Sequence, residues 1–106
     1  MSLQIDVTDV GGNPVIAVAG EVDLYSSPEL REAISEAVPG AKEFLGVDLS
    51  QVPFMDSSGV ATLVEGLRST QASNRAFVLV APSQSVMKVL QLSRLDSVFD
   101  IRDSAG

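Results

Sequence analysis

Cysteine and histidine are both missing from this chain of 106 residues. Without cysteine there is no disulfide, no thiolate metal site and no thiol nucleophile. Without histidine the Ser-His-Asp triad is excluded, as are the commonest transition-metal ligand and the usual general base near neutral pH. A serine hydrolase would be left with a carboxylate or one of only two lysines, Lys42 and Lys88, to activate its nucleophile. Basic residues are scarce too: seven Lys and Arg stand against 14 Asp and Glu, for a net charge of −7. Phosphate backbones are gripped by clustered Lys and Arg, so nucleic acid is excluded as a direct partner, and any effect on transcription would pass through another protein. No segment approaches the roughly 20 apolar residues that cross a bilayer, and the N-terminus lacks the basic flank and apolar run of a secretion signal. The expectation is a cytoplasmic protein with no membrane partner.

What is present suits one compact domain spanning residues 1–106, with 45% hydrophobic residues to build a core. Leu3, Ile5 and Val7 alternate with polar residues, as in a strand with one buried face. Gly11-Gly12-Asn13-Pro14 interrupts that pattern, and Val15 to Ala19 is apolar throughout, as in a strand covered on both faces; the two predict a hairpin. Ser26-Ser27-Pro28-Glu29 predicts a helix start with a hydroxyl cap, and Leu30, Ala33, Ile34, Ala37 and Val38 form its apolar face until Pro39-Gly40. Phe44 to Leu49 reads as a strand. A helix follows from Ser57 with Val60, Leu63, Val64 and Leu67 inward, then a strand over Ala76 to Ala81, a helix carrying Val86, Val89 and Leu90, and a short last strand near Val98 to Ile101. This order predicts an α/β fold: a mostly parallel sheet of four to five strands, with an N-terminal hairpin and helices packed on it. Acidic residues crowd the first half, which predicts one markedly acidic surface.

Function in such sheets gathers at the carboxyl ends of strands. Two polar segments fall there and are expected to meet: Gly20-Glu21-Val22-Asp23 and Asp56-Ser57-Ser58-Gly59. A serine opening a helix is ordinarily a cap, and Asp23 could simply close its own turn. Gly59 sits in the first helical turn, where it costs about 1 kcal/mol relative to alanine, so either the turn is tight or something approaches the backbone closely. A phosphate on Ser57 would face the positive helix end yet be repelled by Asp56. It would add about −1.5 to −2 charges to an already negative surface, enough to break an interface. No Walker loop with its lysine accompanies the segment. Core burial is the default expectation for Phe54 and Met55, with partial exposure and apolar contact to a partner as the alternative, while Tyr25 suits packing or contact equally.

Taken together, Gly20-Glu21-Val22-Asp23, Val47-Asp48-Leu49-Ser50 and Phe54-Met55-Asp56-Ser57-Ser58-Gly59 resemble the STAS domain of bacterial anti-sigma factor antagonists, over nearly the whole chain. The resemblance implies a non-enzymatic regulator with no cofactor of its own. It would bind an anti-sigma factor that is also a GHKL-type serine kinase carrying ATP and magnesium, and so free a sigma factor. Ser57 would take the phosphate and end that binding, and a serine phosphatase would reset the cycle. Asp23, Asp56, Ser58 and Gly59 would contribute to the partner-binding surface, with Ser58 as helix cap. Val22 and Val60 replace leucines frequent in the family, and no basic residue adjoins Ser57. The alternatives are a non-switching STAS scaffold and the cytoplasmic accessory subunit of a transporter. A receiver domain with Asp56 as acceptor lacks its acidic pair and its lysine.

Overall fold

The computed structural model describes residues 2–106. β1 (Gln4–Val10) and β2 (Asn13–Ala19) pair antiparallel through a two-residue loop. Both loop residues, Gly11 and Gly12, have positive φ, 61° and 89°, which glycine adopts without penalty and which matches the twist of a tight hairpin. The chain continues through α1 (Ser27–Ala37), a 3-10 turn at Val38–Gly40, β3 (Phe44–Gln51), α2 (Ser57–Ala72), β4 (Ala76–Val80), α3 (Gln84–Leu92) and β5 (Asp100–Arg102). The strands lie side by side in chain order, and β2 through β5 are all parallel.

Successive parallel crossovers stepping in one direction put their helices on one face of the sheet. One cluster of buried side chains joins Leu30 and Ile34 of α1, Leu63 of α2, and Val86 and Leu90 of α3 to Ile16, Val18, Leu45, Val47, Leu49, Phe77 and Leu79 of the sheet. The other face is closed by small residues and by the chain end. Val15, Val78 and Val80 are buried there, Arg102 lies 6.0 Å from the Phe44 ring, and a β-carbon at Gly106 would stand 3.7 Å from Val10 Cγ1.

Four expectations are corrected in detail. Val7 is 56% exposed, because α1 offers β1 only Ala33 and Ala37, leaving a groove that Ile5 and Val7 line. β2 begins at Asn13, whose buried Oδ1 accepts from the amides of Glu43 and Phe44 at 2.7 and 3.1 Å and so ties the hairpin to the entry of β3. The last strand starts at Asp100, since Phe99 turns into the core against Phe77, with ring centroids 6.2 Å apart. The acidic residues do not gather on one surface: Glu32 and Glu36 are exposed on α1, while Asp6 and Asp48 border a depression on the opposite, helix-free face.

Gly66 marks a close contact between α2 and β4, since a β-carbon there would lie 2.7 Å from the Phe77 ring. Replacing it with alanine gains helix propensity of about 1 kcal/mol but forces the ring aside, which costs about 1–3 kcal/mol in a packed core. Gly66→Ala is therefore expected to lower stability by about 1 kcal/mol in urea denaturation, against the propensity trend.

Candidate functional site

Past their last full ladder pairs, β2 and β3 remain joined. Val22 and Met55 form an isolated parallel bridge, in which the Val22 amide donates to the Phe54 carbonyl at 2.9 Å and the Asp56 amide to the Val22 carbonyl at 3.0 Å. Both side chains are buried, at 0% and 1% exposure. The bridge brings the segments 20–26 and 53–59 together, as the sequence leads one to expect. The strand order contains no reversal, and the loops meet because their strands are neighbours.

Asp56 is the N-cap of α2. Its Oδ1 accepts from the Ser58 amide at 2.9 Å and from the Gly59 amide at 3.4 Å, and the Ser58 hydroxyl donates to the same oxygen at 2.5 Å. Ser58, expected as the cap, is instead a donor to it, because aspartate two residues earlier reaches both orphan amides. These bonds, the Ser58 hydroxyl foremost, hold the Asp56 carboxyl below its ordinary value near 3.8, while desolvation and the charge of Asp23 oppose the shift.

Asp23 organises the other loop in the same way. Its Oδ1 accepts from the amides of Tyr25 and Ser26 at 2.9 and 3.0 Å, and its own amide donates to Ser26 Oγ at 3.0 Å. The Ser26 hydroxyl donates to the Glu21 carbonyl at 2.8 Å, so Ser26 locks the loop and makes no capping bond to α1. The predicted hydroxyl cap is thus replaced by an aspartate-centred turn, a role the sequence signals only through the Asp-x-x-Ser spacing. Hydrogen bonding from Ser26 lowers the Asp23 pKa first of all, helped by Tyr25.

Ser57 is the first residue of α2 and is exposed; among the described residues nothing hydrogen-bonds its hydroxyl. Gly59 is buried, and what approaches it is internal: a β-carbon there would lie 2.5 Å from Met55 Cγ and 2.8 Å from Val22 Cγ1. It supports the surface from beneath. Met55 is core, as expected, but Phe54 is 47% exposed, and beside it across the bridge Leu24 and Tyr25 are 68% and 85% exposed. No composition signal marks these three, since a single apolar residue in a loop reads equally as core.

Removing the cap should cost what an N-cap is worth, so Asp56→Ala is expected to destabilise by about 1 kcal/mol near neutral pH. A carboxyl with a depressed folded-state pKa stabilises fully above its unfolded value, about 3.9, and loses that contribution as pH falls through the lower folded value. The gap between wild type and Asp56→Ala in thermal unfolding is therefore constant above about pH 5 and closes in stronger acid. Gly59→Ala, which crowds Met55 and Val22, is expected to cost about 1 kcal/mol net in the same assay.

Comparison with known proteins agrees with this geometry. The family described as "Mlab, STAS domain" matches residues 5–102. The anti-sigma-F factor antagonist RsfB of Mycobacterium tuberculosis is 33% identical over 98 residues, covering 92% of this chain and 80% of that protein. The anti-sigma-B factor antagonist of Listeria monocytogenes is 26% identical over 107 residues, covering 100% and 94%. Among solved structures, an anti-sigma factor antagonist from Mycobacterium paratuberculosis superposes with a TM-score of 0.86 at 28% identity, over 97% of this chain and 87% of the other. The antagonist SpoIIAA in its unphosphorylated form gives 0.80 at 29%, over 96% and 90%. The Bacillus SpoIIAA in its phosphorylated form gives 0.72 at 28%, over 97% and 92%. With its mostly parallel five-stranded sheet, one helical layer and two loops joined at the Val22–Met55 bridge, the chain belongs to the STAS domain family, and its relatives there are regulatory binding proteins rather than enzymes.

Proposed function

We propose that the chain is a cytoplasmic anti-sigma factor antagonist switched by phosphorylation of Ser57. In the unmodified state its loop surface binds an anti-sigma factor that is a GHKL-type serine kinase carrying ATP and magnesium, and a sigma factor is released. Phosphorylation ends the complex and a serine phosphatase restores it. The observation that carries this reading is the contrast within one segment: Asp56 and Ser58 are committed to the helix cap, while the Ser57 hydroxyl stands exposed and unengaged. SpoIIAA, solved in both unphosphorylated and phosphorylated forms, supports it by likeness.

In the transfer, Ser57 Oγ would bond to the γ-phosphorus of ATP as the bond to the β,γ-bridging oxygen breaks, ADP leaves, and the hydroxyl proton passes to a base. Asp23 and Asp56 are poor candidates for that base, because hydrogen bonds hold both below the ordinary carboxylate range. The base and magnesium therefore belong to the kinase. Once attached, the phosphate gains from the positive end of α2, worth about 0.3–1 kcal/mol, but stands beside two fixed carboxylates with no cation in either loop. No cation in either loop would neutralise it, so it would act outward, against the partner. Like-charge contact and desolvation would open an interface that the bare hydroxyl allows.

Incubation with the GHKL-type anti-sigma kinases of the source genome and magnesium ATP, followed by intact mass and peptide mapping, is expected to show one phosphate, on Ser57. Ser57→Ala should remain unmodified and bind the kinase within about twofold of wild type. Stable binding without modification would favour the scaffold or transporter-accessory reading.

A further inference from the structure

Six large apolar side chains are exposed among the described residues: Val7, Leu24, Tyr25, Phe54, Leu92 and Val98. Three of them, Leu24, Tyr25 and Phe54, stand on the two loops that carry Asp23 and Ser57, joined by the backbone bonds between Val22 and residues 54 and 56. Tyr25 is the most exposed of the six, at 85%. It is nevertheless not on a loose tip, because its amide is held by Asp23 Oδ1 and the next two amides, of Ser26 and Ser27, donate to the Asp23 carbonyl at 3.2 and 2.8 Å. A large ring on a fixed backbone loses little entropy on binding, which is why tyrosine recurs where interfaces concentrate their energy. The same two segments, 20–26 and 53–59, carry Glu21, Asp23 and Asp56 and contain no Lys or Arg. Exposed apolar side chains together with charged ones suit a protein-binding patch. Its uniform sign disfavours a second copy of the chain, which would set carboxylates against carboxylates.

We propose that Leu24, Tyr25 and Phe54 form the apolar anchor of the partner interface beside Ser57, received by a hydrophobic cleft bordered by Lys or Arg on the anti-sigma factor. This rests on the antagonist reading above and adds to it a division of labour. The anchor supplies affinity whatever the state of Ser57, the carboxylate border orients the approach, and the phosphate acts by forcing the anchor out of its cleft. Side chains at positions 24, 25 and 54 then set which anti-sigma factor is recognised.

The test is titration of the full-length protein against the purified GHKL-type anti-sigma kinases of the source genome, loaded with ADP and magnesium, with variants Leu24→Ser, Tyr25→Ala, Tyr25→Phe and Phe54→Ala. Leu92→Ala, at the far end of α3, serves as the comparison. Tyr25→Ala is expected to weaken binding at least about thirtyfold, mostly through faster dissociation, and Leu24→Ser at least about fivefold. Tyr25→Phe and Leu92→Ala should stay within about twofold of wild type. In the kinase assay, Tyr25→Ala should raise KM for the protein substrate with kcat little changed. The exposed positions leave thermal unfolding unaltered, which separates lost contact from lost fold. If wild type binds and Leu24→Ser, Tyr25→Ala and Phe54→Ala all bind equally well, the anchor is refuted and the antagonist reading stands. If wild type itself binds none of these kinases, both are refuted.

Discussion

The functional end of the domain depends on two backbone hydrogen bonds across the Val22–Met55 bridge. Loops at the carboxyl ends of neighbouring parallel strands ordinarily diverge toward separate helices. Here the sheet is carried one pair further, so the start of α1 and the start of α2 are positioned by the same ladder that builds the core. Burial of Val22 and Met55 makes the connection stiff, and Gly59 is the condition for that burial, because any side chain there would occupy the space of both. Core packing and loop placement are thus one constraint. Gly59, which the sequence marks as a close approach to backbone, is approached from within, by Met55 and Val22.

On that floor, the two carboxylates spend their hydrogen-bonding capacity on backbone order. Asp56 caps α2 and Asp23 closes the turn before α1, each with a serine as helper. Their charges remain, uncompensated by any cation in the loops, and sit beside an unengaged hydroxyl. The arrangement is already negative, and a phosphate on Ser57, as proposed, would make it more so. With no Lys or Arg in either loop to form an internal ion pair, the proposed phosphate would express its charge at the interface. The same backbone bonds position exposed Leu24, Tyr25 and Phe54, so that the proposed patch would combine a source of affinity with a source of repulsion.

Most of the fold is legible in the chain order of patterns. The glycine pair, the apolar runs and the helical spacing of Leu30, Ile34, Leu63 and Leu90 are local signals that tertiary packing leaves in force. The errors occur where a contact from far along the chain decides. Val7 lies beyond the reach of α1, Phe99 is drawn inward by Phe77, and Asn13 reaches the amides of Glu43 and Phe44. At the site, the sequence places Ser57, Asp56 and Asp23 together but misassigns the capping roles. Ser, Asp and Thr are interchangeable as caps by type, and only geometry tells which side chain reaches which amide. The sequence leaves burial or exposure open for Tyr25 and Phe54 and does not single out Leu24, since the face a loop side chain presents is set by the bridge beneath it.

The account is tested most directly by comparing the affinity of unmodified protein and protein carrying phosphoserine installed at position 57 for the same ADP-loaded anti-sigma kinase. A charge confined to a rigid, acidic interface predicts that the phosphate weakens binding by at least about tenfold, with the fold and thermal unfolding unchanged. Equal affinity of the two forms would contradict it, and would leave Ser57 as no more than the first residue of a well-capped helix.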